Sequence, residues 1–246
     1  MKKTLFVTAA VVAMTAAGAL TGVQSVFAAD ANGNAQGTTN AEFKVEAGSG
    51  GTDGGDTGND KDLILNKIPD LRFNLDGTSN GADPKVGNII SGVTLKYADG
   101  NVETKTNDNA ENQKGLIEVL DYRGTNAGWN LSAQVGKPTN GKTTLEGTLT
   151  LHAPISMFTN ADVTAAGNTV AGTLTAGGAN VQIWQAKAAV AGTDAQHPAT
   201  PGEGAGTNDA TVDNGTTFDI ASNASATTGQ YDALVTWTLA GTPEMN

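Results

Sequence analysis

Near its C-terminus the chain alternates with a period of two. Tyr231, Ala233, Val235, Trp237 and Leu239 are apolar, with Asp232, Thr236 and Thr238 between them. Successive side chains of a strand point to opposite faces, so this pattern predicts a strand with one buried face. The same texture recurs upstream. Val93, Leu95 and Tyr97 alternate with Thr94 and Lys96 before an Asp99-Gly100 turn. Ile117 and Val119 lead into Asp121-Tyr122-Arg123-Gly124. Trp129, Leu131, Ala133 and Val135 alternate with Asn130, Ser132 and Gln134. Leu145, Gly147, Leu149 and Leu151 alternate with polar residues ending at His152, and Val181 and Ile183 bracket Gln182. Short half-apolar strands separated by turn residues predict an all-β fold, an antiparallel β-sandwich with long polar Gly-rich loops.

Two stretches break the pattern. Glu42 to Glu46 reads as a short extended segment with Phe43 and Val45 on one face. It runs into a Gly/Asp tract at 48–60 that has no apolar residue to bury and is read as a flexible linker. A calcium loop is the sharper alternative. However, Asp56, Gly58 and Asp60 lack an oxygen ligand at the third position of an EF-type loop, and the Gly spacing does not repeat as in a β-roll. The second break, His197 to Asn208, carries Pro198, Pro201 and several Gly and is expected to be a long loop. One domain is the economical division.

The first 28 residues are expected to be a signal peptide. Lys2 and Lys3 precede an apolar run from Leu5 to Leu20, and Val26-Phe27-Ala28 supplies small residues at −3 and −1 for cleavage after Ala28. The run is shorter than the roughly 20 apolar residues a bilayer crossing needs, so no membrane span is expected after cleavage. The domain is then 29–246. Secreted proteins can be stapled by disulfides, but this chain has no cysteine and must be held by packing. Its 32 glycines and 5% aromatic content fit many turns and a lean core.

The formal charge is −11, and cleavage would remove two lysines more. Such a chain is repelled by nucleic acid and by anionic lipid, which excludes both as expected partners. Attraction to any polyanion would need local hydrogen bonds, apolar contact or a bridging cation.

Catalytic constellations are not legible, and the reading is that the protein is not an enzyme. Thiol chemistry has no residue to use. His152 and His197 stand at no metal-ligand spacing, and no nucleophile elbow, His-Glu-x-x-His helix or phosphate loop occurs. A carboxylate pair for glycoside hydrolysis would be defined only in space, but the acids cluster in linkers and turns. No metal and no cofactor are expected.

Two segments carry a resemblance: Asp121-Tyr122-Arg123-Gly124-Thr125-Asn126-Ala127-Gly128-Trp129-Asn130-Leu131-Ser132-Ala133, and Tyr231-Asp232-Ala233-Leu234-Val235-Thr236-Trp237-Thr238-Leu239. Together they resemble the two Trp-x-Leu signatures of the WxL-domain cell-surface proteins of Gram-positive bacteria, one mid-chain and one in the C-terminal strand. Phe43-Lys44-Val45, the Gly/Asp tract and Leu63-Ile64-Leu65 up to Pro69 are similar to the family's opening. Asn74 stands where the family pattern leads one to expect Gly, and Trp184 with the 197–208 loop is less typical.

The resemblance implies non-covalent attachment to the cell wall through peptidoglycan, and membership of a complex with other surface proteins. The alternative is a structural subunit held by its partners, with little wall affinity of its own. The sequence ends at Asn246 with no Leu-Pro-x-Thr-Gly sorting motif and no apolar tail, so retention is expected to depend on binding.

Each signature Trp shares its strand face with its Leu and with further apolar residues. Trp129, Leu131, Trp237 and Leu239 are therefore expected to lie in the core and not to touch the wall. If Val181 and Ile183 point inward, Gln182 and Trp184 point outward, which makes them the candidate wall or partner contact. The bland alternatives are that Trp184 packs under the neighbouring loop or that its strand is buried on both faces. Arg123 is a third candidate contact, although in a Gly-bounded turn it can equally bond loop carbonyls or pair with Asp121.

Overall fold

The computed structural model describes residues 35–45, 63–100, 112–124, 126–160 and 169–241. The signal segment and the 48–60 tract lie outside the described residues. The strands are β1 (Ala35–Val45), β2 (Leu63–Lys67), β3 (Leu71–Asn74), β4 (Val93–Ala98), β5 (Leu116–Asp121), β6 (Trp129–Val135), β7 (Gly147–Met157), β8 (Thr169–Thr175), β9 (Val181–Ala186), β10 (Gly206–Thr211), β11 (Thr217–Ile220) and β12 (Gly229–Gly241). A single α-helical turn, α1 (Val86–Ser91), lies between β3 and β4. The expectation of an all-β chain agrees with this architecture.

The pairing is not purely antiparallel, as the expected sandwich would have it. The strands make one open mixed sheet in the order β2-β5-β10-β7-β11-β4-β3-β1-β12-β6-β9, with β8 paired to β7. Eleven residues of β1 run antiparallel to β12, while Ala41, Glu42 and Phe43 run parallel to Leu71, Arg72 and Phe73 of β3. Parallel neighbours need a crossover that carries the chain back along the sheet, and β2 lies on that crossover. The path folds back on itself, with β2 against β1 and β12 and β8 against β6 and β9.

This folding-back encloses the core. Phe73 meets Tyr97 and Phe218 edge to face, at ring centroids of 6.5 and 5.6 Å, an arrangement that suits the aromatic quadrupole. Burial pushes the Tyr97 phenol far above its ordinary range, reinforced by the nearby Asp99 carboxylate. Tyr97 is thus a neutral core residue. Asn74, the departure from the family pattern, is fully buried. Its amide donates to Thr78 O at 2.7 Å and its oxygen accepts from Gly77 N at 2.7 Å, closing the turn after β3.

Three elements differ from the sequence reading. β1 begins at Ala35, well before the expected Glu42, because Gln36 to Asn40 have no apolar alternation to announce a strand. β10 takes up Gly206 to Asn208, the end of the expected 197–208 loop. Its residues are mostly small or polar, yet it is flanked on both sides, by β5 and β7. β9 carries a bulge that changes which of its side chains face inward.

Candidate functional site

The first Trp-x-Leu signature sits where three loops converge at one end of the sheet: 122–128, 158–160 and 187–205. Ala189 N donates to Asn126 O at 2.8 Å, Gly204 N to Thr159 O at 2.9 Å, and Asn160 Nδ2 to Gly202 O at 2.9 Å. Glycine lets the loops close this tightly. Gly204 has φ +75°, and a Cβ there would lie 2.6 Å from Trp129 Nε1; Gly128 has φ +73°, and a Cβ there would lie 2.4 Å from Ala186 O. No other residue combines that backbone with that approach.

Arg123 organises the first loop from within. Its Nε and Nη2 donate to the two carboxylate oxygens of Asp121 at 2.8 and 2.7 Å, and Nη2 also donates to Gly128 O at 2.7 Å. Asp121 is buried. A bidentate pair fixes the planes of both groups, so the guanidinium is committed to the loop rather than offered to a ligand. Tyr122, between the two partners, is driven outward and is 58% exposed.

Trp129, Leu131, Trp237 and Leu239 are all buried. Trp129 Nε1 donates to Gly204 O at 3.2 Å, and Trp237 Nε1 donates to Thr39 Oγ1 at 2.6 Å. Trp184 does not face outward. It is only 5% exposed, and its ring meets Trp129 at 5.0 Å and Phe158 at 5.4 Å between centroids. The cause is a register shift: Leu131 pairs with Trp184 but Ser132 pairs with Gln182, so Ile183 is an extra residue in β9. A bulge breaks strict alternation. Ile183 and Trp184 therefore both turn inward, Trp184 on the face of Leu131 and Trp129, while Gln182 remains exposed and bonds Gln185. Trp184 Nε1 has no hydrogen-bond partner among the described residues.

The sequence reading missed the residues that seal this end. Glu203 accepts from Lys187 N and Lys187 Nζ, each at 3.1 Å. Buried Asn208 donates through Nδ2 to the carbonyls of Val119, Gly204 and Gly206. Neither has a pattern to betray it, since their partners are backbone atoms or distant in sequence. Tyr122, Met157 and Val190 are exposed large apolar side chains on or beside the converging loops. Tyr122 was legible only as the residue inside the Asp-x-Arg turn.

The histidines pair with carboxylates. His152 Nδ1 lies 2.7 Å from Asp213 Oδ1, and His197 Nδ1 lies 2.9 Å from Asp194 Oδ1. The hydrogen bond from His197 is the main cause holding the Asp194 carboxyl below its ordinary range. Among the described residues no group of three or more His, Cys, Asp or Glu is placed to hold a metal ion, and no helix is long and apolar enough to cross a membrane.

No curated protein and no solved structure matches the chain. A family model described as WxL domain surface cell wall-binding matches residues 48–243, from the Gly/Asp tract to just past β12. The chain belongs to the WxL family, whose domain is a surface cell wall-binding one.

Proposed function

We propose that this protein is secreted through its N-terminal signal segment and held non-covalently on peptidoglycan by the loop end of its sheet. There it serves as one member of a multi-protein surface complex. The observation that carries the location of binding is the exposure of Tyr122, Met157 and Val190 at the end where the Arg123–Asp121 pair fixes the loop. Large apolar side chains left exposed on or beside one set of loops mark a candidate contact surface. A rigid tyrosine offers a face to a sugar ring and a hydroxyl to a polar rim. Trp129 supports the loops from below through its bond to Gly204, Trp237 is held within the β1–β12 ladder, and neither touches the polymer.

The family is a wall-binding one and not an enzyme family, and the protein's role is retention rather than turnover of the wall. The test is a pull-down of the purified mature chain with washed, protein-free walls. Retention that a chaotrope reverses without wall digestion is the expected result. Failure to sediment with bare walls, with sedimentation restored by other surface proteins, would favour a subunit held by its partners. Muropeptide release rising with time and dose would refute the non-enzymatic reading.

A further inference from the structure

Leu234 has no role in the core. It lies on β12, an interior strand paired with β1 on one side and β6 on the other, yet its side chain is 53% exposed. A single exposed leucine is ordinary, so its surroundings decide whether it marks a contact.

Side chains along β6 and β12 alternate between the core and the outer face of the sheet. Trp129, Leu131, Trp237 and Leu239 take the core side, so the residues between them face out. On β6 these are Asn130, Ser132 and Gln134, and on β12 they are Thr238, Thr236 and Leu234. The bulge in β9 leaves Gln182 and Gln185 exposed beside them. The register arranges these residues in rows that begin at the loop end. Asn130 lies opposite Gln185, Ser132 lies between Thr238 and Gln182, and Gln134 lies opposite Thr236. Leu234 follows, about 20 Å from Ala240 at about 3.3 Å per residue.

These rows hold amides and hydroxyls and no charged side chain, although the chain has 25 acidic and 14 basic residues. Along β12 the first outward charge is Asp232, beyond Leu234. Asn180 Nδ2 donates to Ser132 Oγ at 2.8 Å, and Gln182 Nε2 donates to Gln185 Oε1 at 3.3 Å. The second bond orients both amides and leaves the Gln185 NH2 and the Gln182 carbonyl with capacity to bond a ligand. The face has no cation to hold an anionic polymer, and the net charge of −11 repels one. The charged ends of a peptide would also find no partner. An uncharged sugar chain meets amides and hydroxyls for its own hydroxyl and acetamido groups, and an apolar side chain for its C–H surface.

We propose that the outer face of β6, β9 and β12 continues the contact that begins at Tyr122 and Val190, and that its ligand is the uncharged, N-acetylated glycan strand of the wall. This names the polymer within the wall-retention reading and rests on it. Each polar contact replaces a bond to water and is weak alone. A short oligomer should therefore bind loosely, and a long strand should gain by engaging several rows at once.

The first test needs no wall. The isotope-labelled mature chain is titrated by nuclear magnetic resonance with the hexamer of N-acetylglucosamine. Amide signals of Gln134, Gln182 and Leu234 should shift, with a dissociation constant on the order of 1 mM. Gln134→Ala, Gln182→Ala and Leu234→Ser should each weaken binding several-fold with the melting temperature unchanged. Thr173→Ala, at an exposed position of β8, should bind like the parent. Poly(glycerol phosphate) and a wall stem peptide, titrated in the same way, should leave the three signals in place. No shift at about 10 mM hexamer, shifts confined to other strands, or stronger shifts with the phosphate polymer or the peptide would overturn the proposal. The second test sediments the chain with washed walls before and after acid extraction of their anionic polymers. Retention that survives extraction and is competed by the hexamer supports the glycan, and retention lost on extraction refutes it. A chain that binds the hexamer on this face but never sediments with walls would sink the retention reading while bearing out the ligand of the face.

Discussion

Trp237 donates its indole N–H to Thr39 Oγ1 at 2.6 Å, across the ladder between β12 and β1. Both residues are 1% exposed. The second signature tryptophan is thus completed by a hydroxyl that lies outside the part of the chain matching the family. The family's own strand and the upstream strand share one buried hydrogen bond.

Thr39→Val keeps the shape and deletes the acceptor, leaving the indole N–H buried without a partner. The expected cost is about 1–3 kcal/mol. Trp237→Ala removes the ring itself and is expected to cost about 3–5 kcal/mol, a large fraction of a domain's stability. Urea titration of both mutants and the double mutant checks this. The double should cost less than the sum, because the lost bond is counted in each single mutant. Additive costs would show that the two residues are not coupled.

Trp184 gives a sharper comparison. Trp184→Ala should cost about 3–5 kcal/mol, because it empties the space between Trp129 and Phe158. Trp184→Phe keeps an aromatic ring there and deletes a buried N–H without a partner among the described residues. Its cost should be well below that of the alanine, about 1–2 kcal/mol, since loss of volume is offset by relief of the unsatisfied donor. Thermal melts of the two variants side by side decide it. Near-parent melting of the alanine variant would contradict the inward placement of the ring.

Arg123→Ala leaves the Asp121 carboxylate buried with its bidentate partner gone, and breaking such a pair from one side is expected to cost about 3 kcal/mol. Replacing Asp121 by Asn as well should recover part of that loss, because the stranded charge is removed. A double-mutant cycle by chemical denaturation measures the recovery. If Arg123→Ala melts like the parent but no longer sediments with walls, the guanidinium is a contact after all.

Tyr122 should behave in the opposite sense. As an exposed residue, Tyr122→Ala is expected to change stability by no more than about 0.5 kcal/mol. Retention on washed walls should fall several-fold. Paired melting and sedimentation curves separate the two effects, and unchanged retention would move the contact surface away from this loop end.

How far the chain could be read in advance depended on where the physical signal lay. Period-two alternation in β6 and β12 reports which face each residue takes, and it placed Trp129, Leu131, Trp237 and Leu239 on apolar faces as the structure does. The same rule misplaced Trp184, since one extra residue at Ile183 shifts the phase and nothing local announces a bulge. Arg123 was ambiguous between loop and ligand because its partners, Asp121 and Gly128, identify themselves only by distance.

The sequence by itself determined the all-β character, the family and the apolar faces of the long strands, because each is written in near neighbours. Tertiary structure alone decided that the sheet is one mixed path, that β10 is a strand despite its polar residues, and that β1 lies between β12 and β3. Backbone hydrogen bonds to distant strands fix those features. Such bonds are made by every residue type and so leave little trace in the order of side chains.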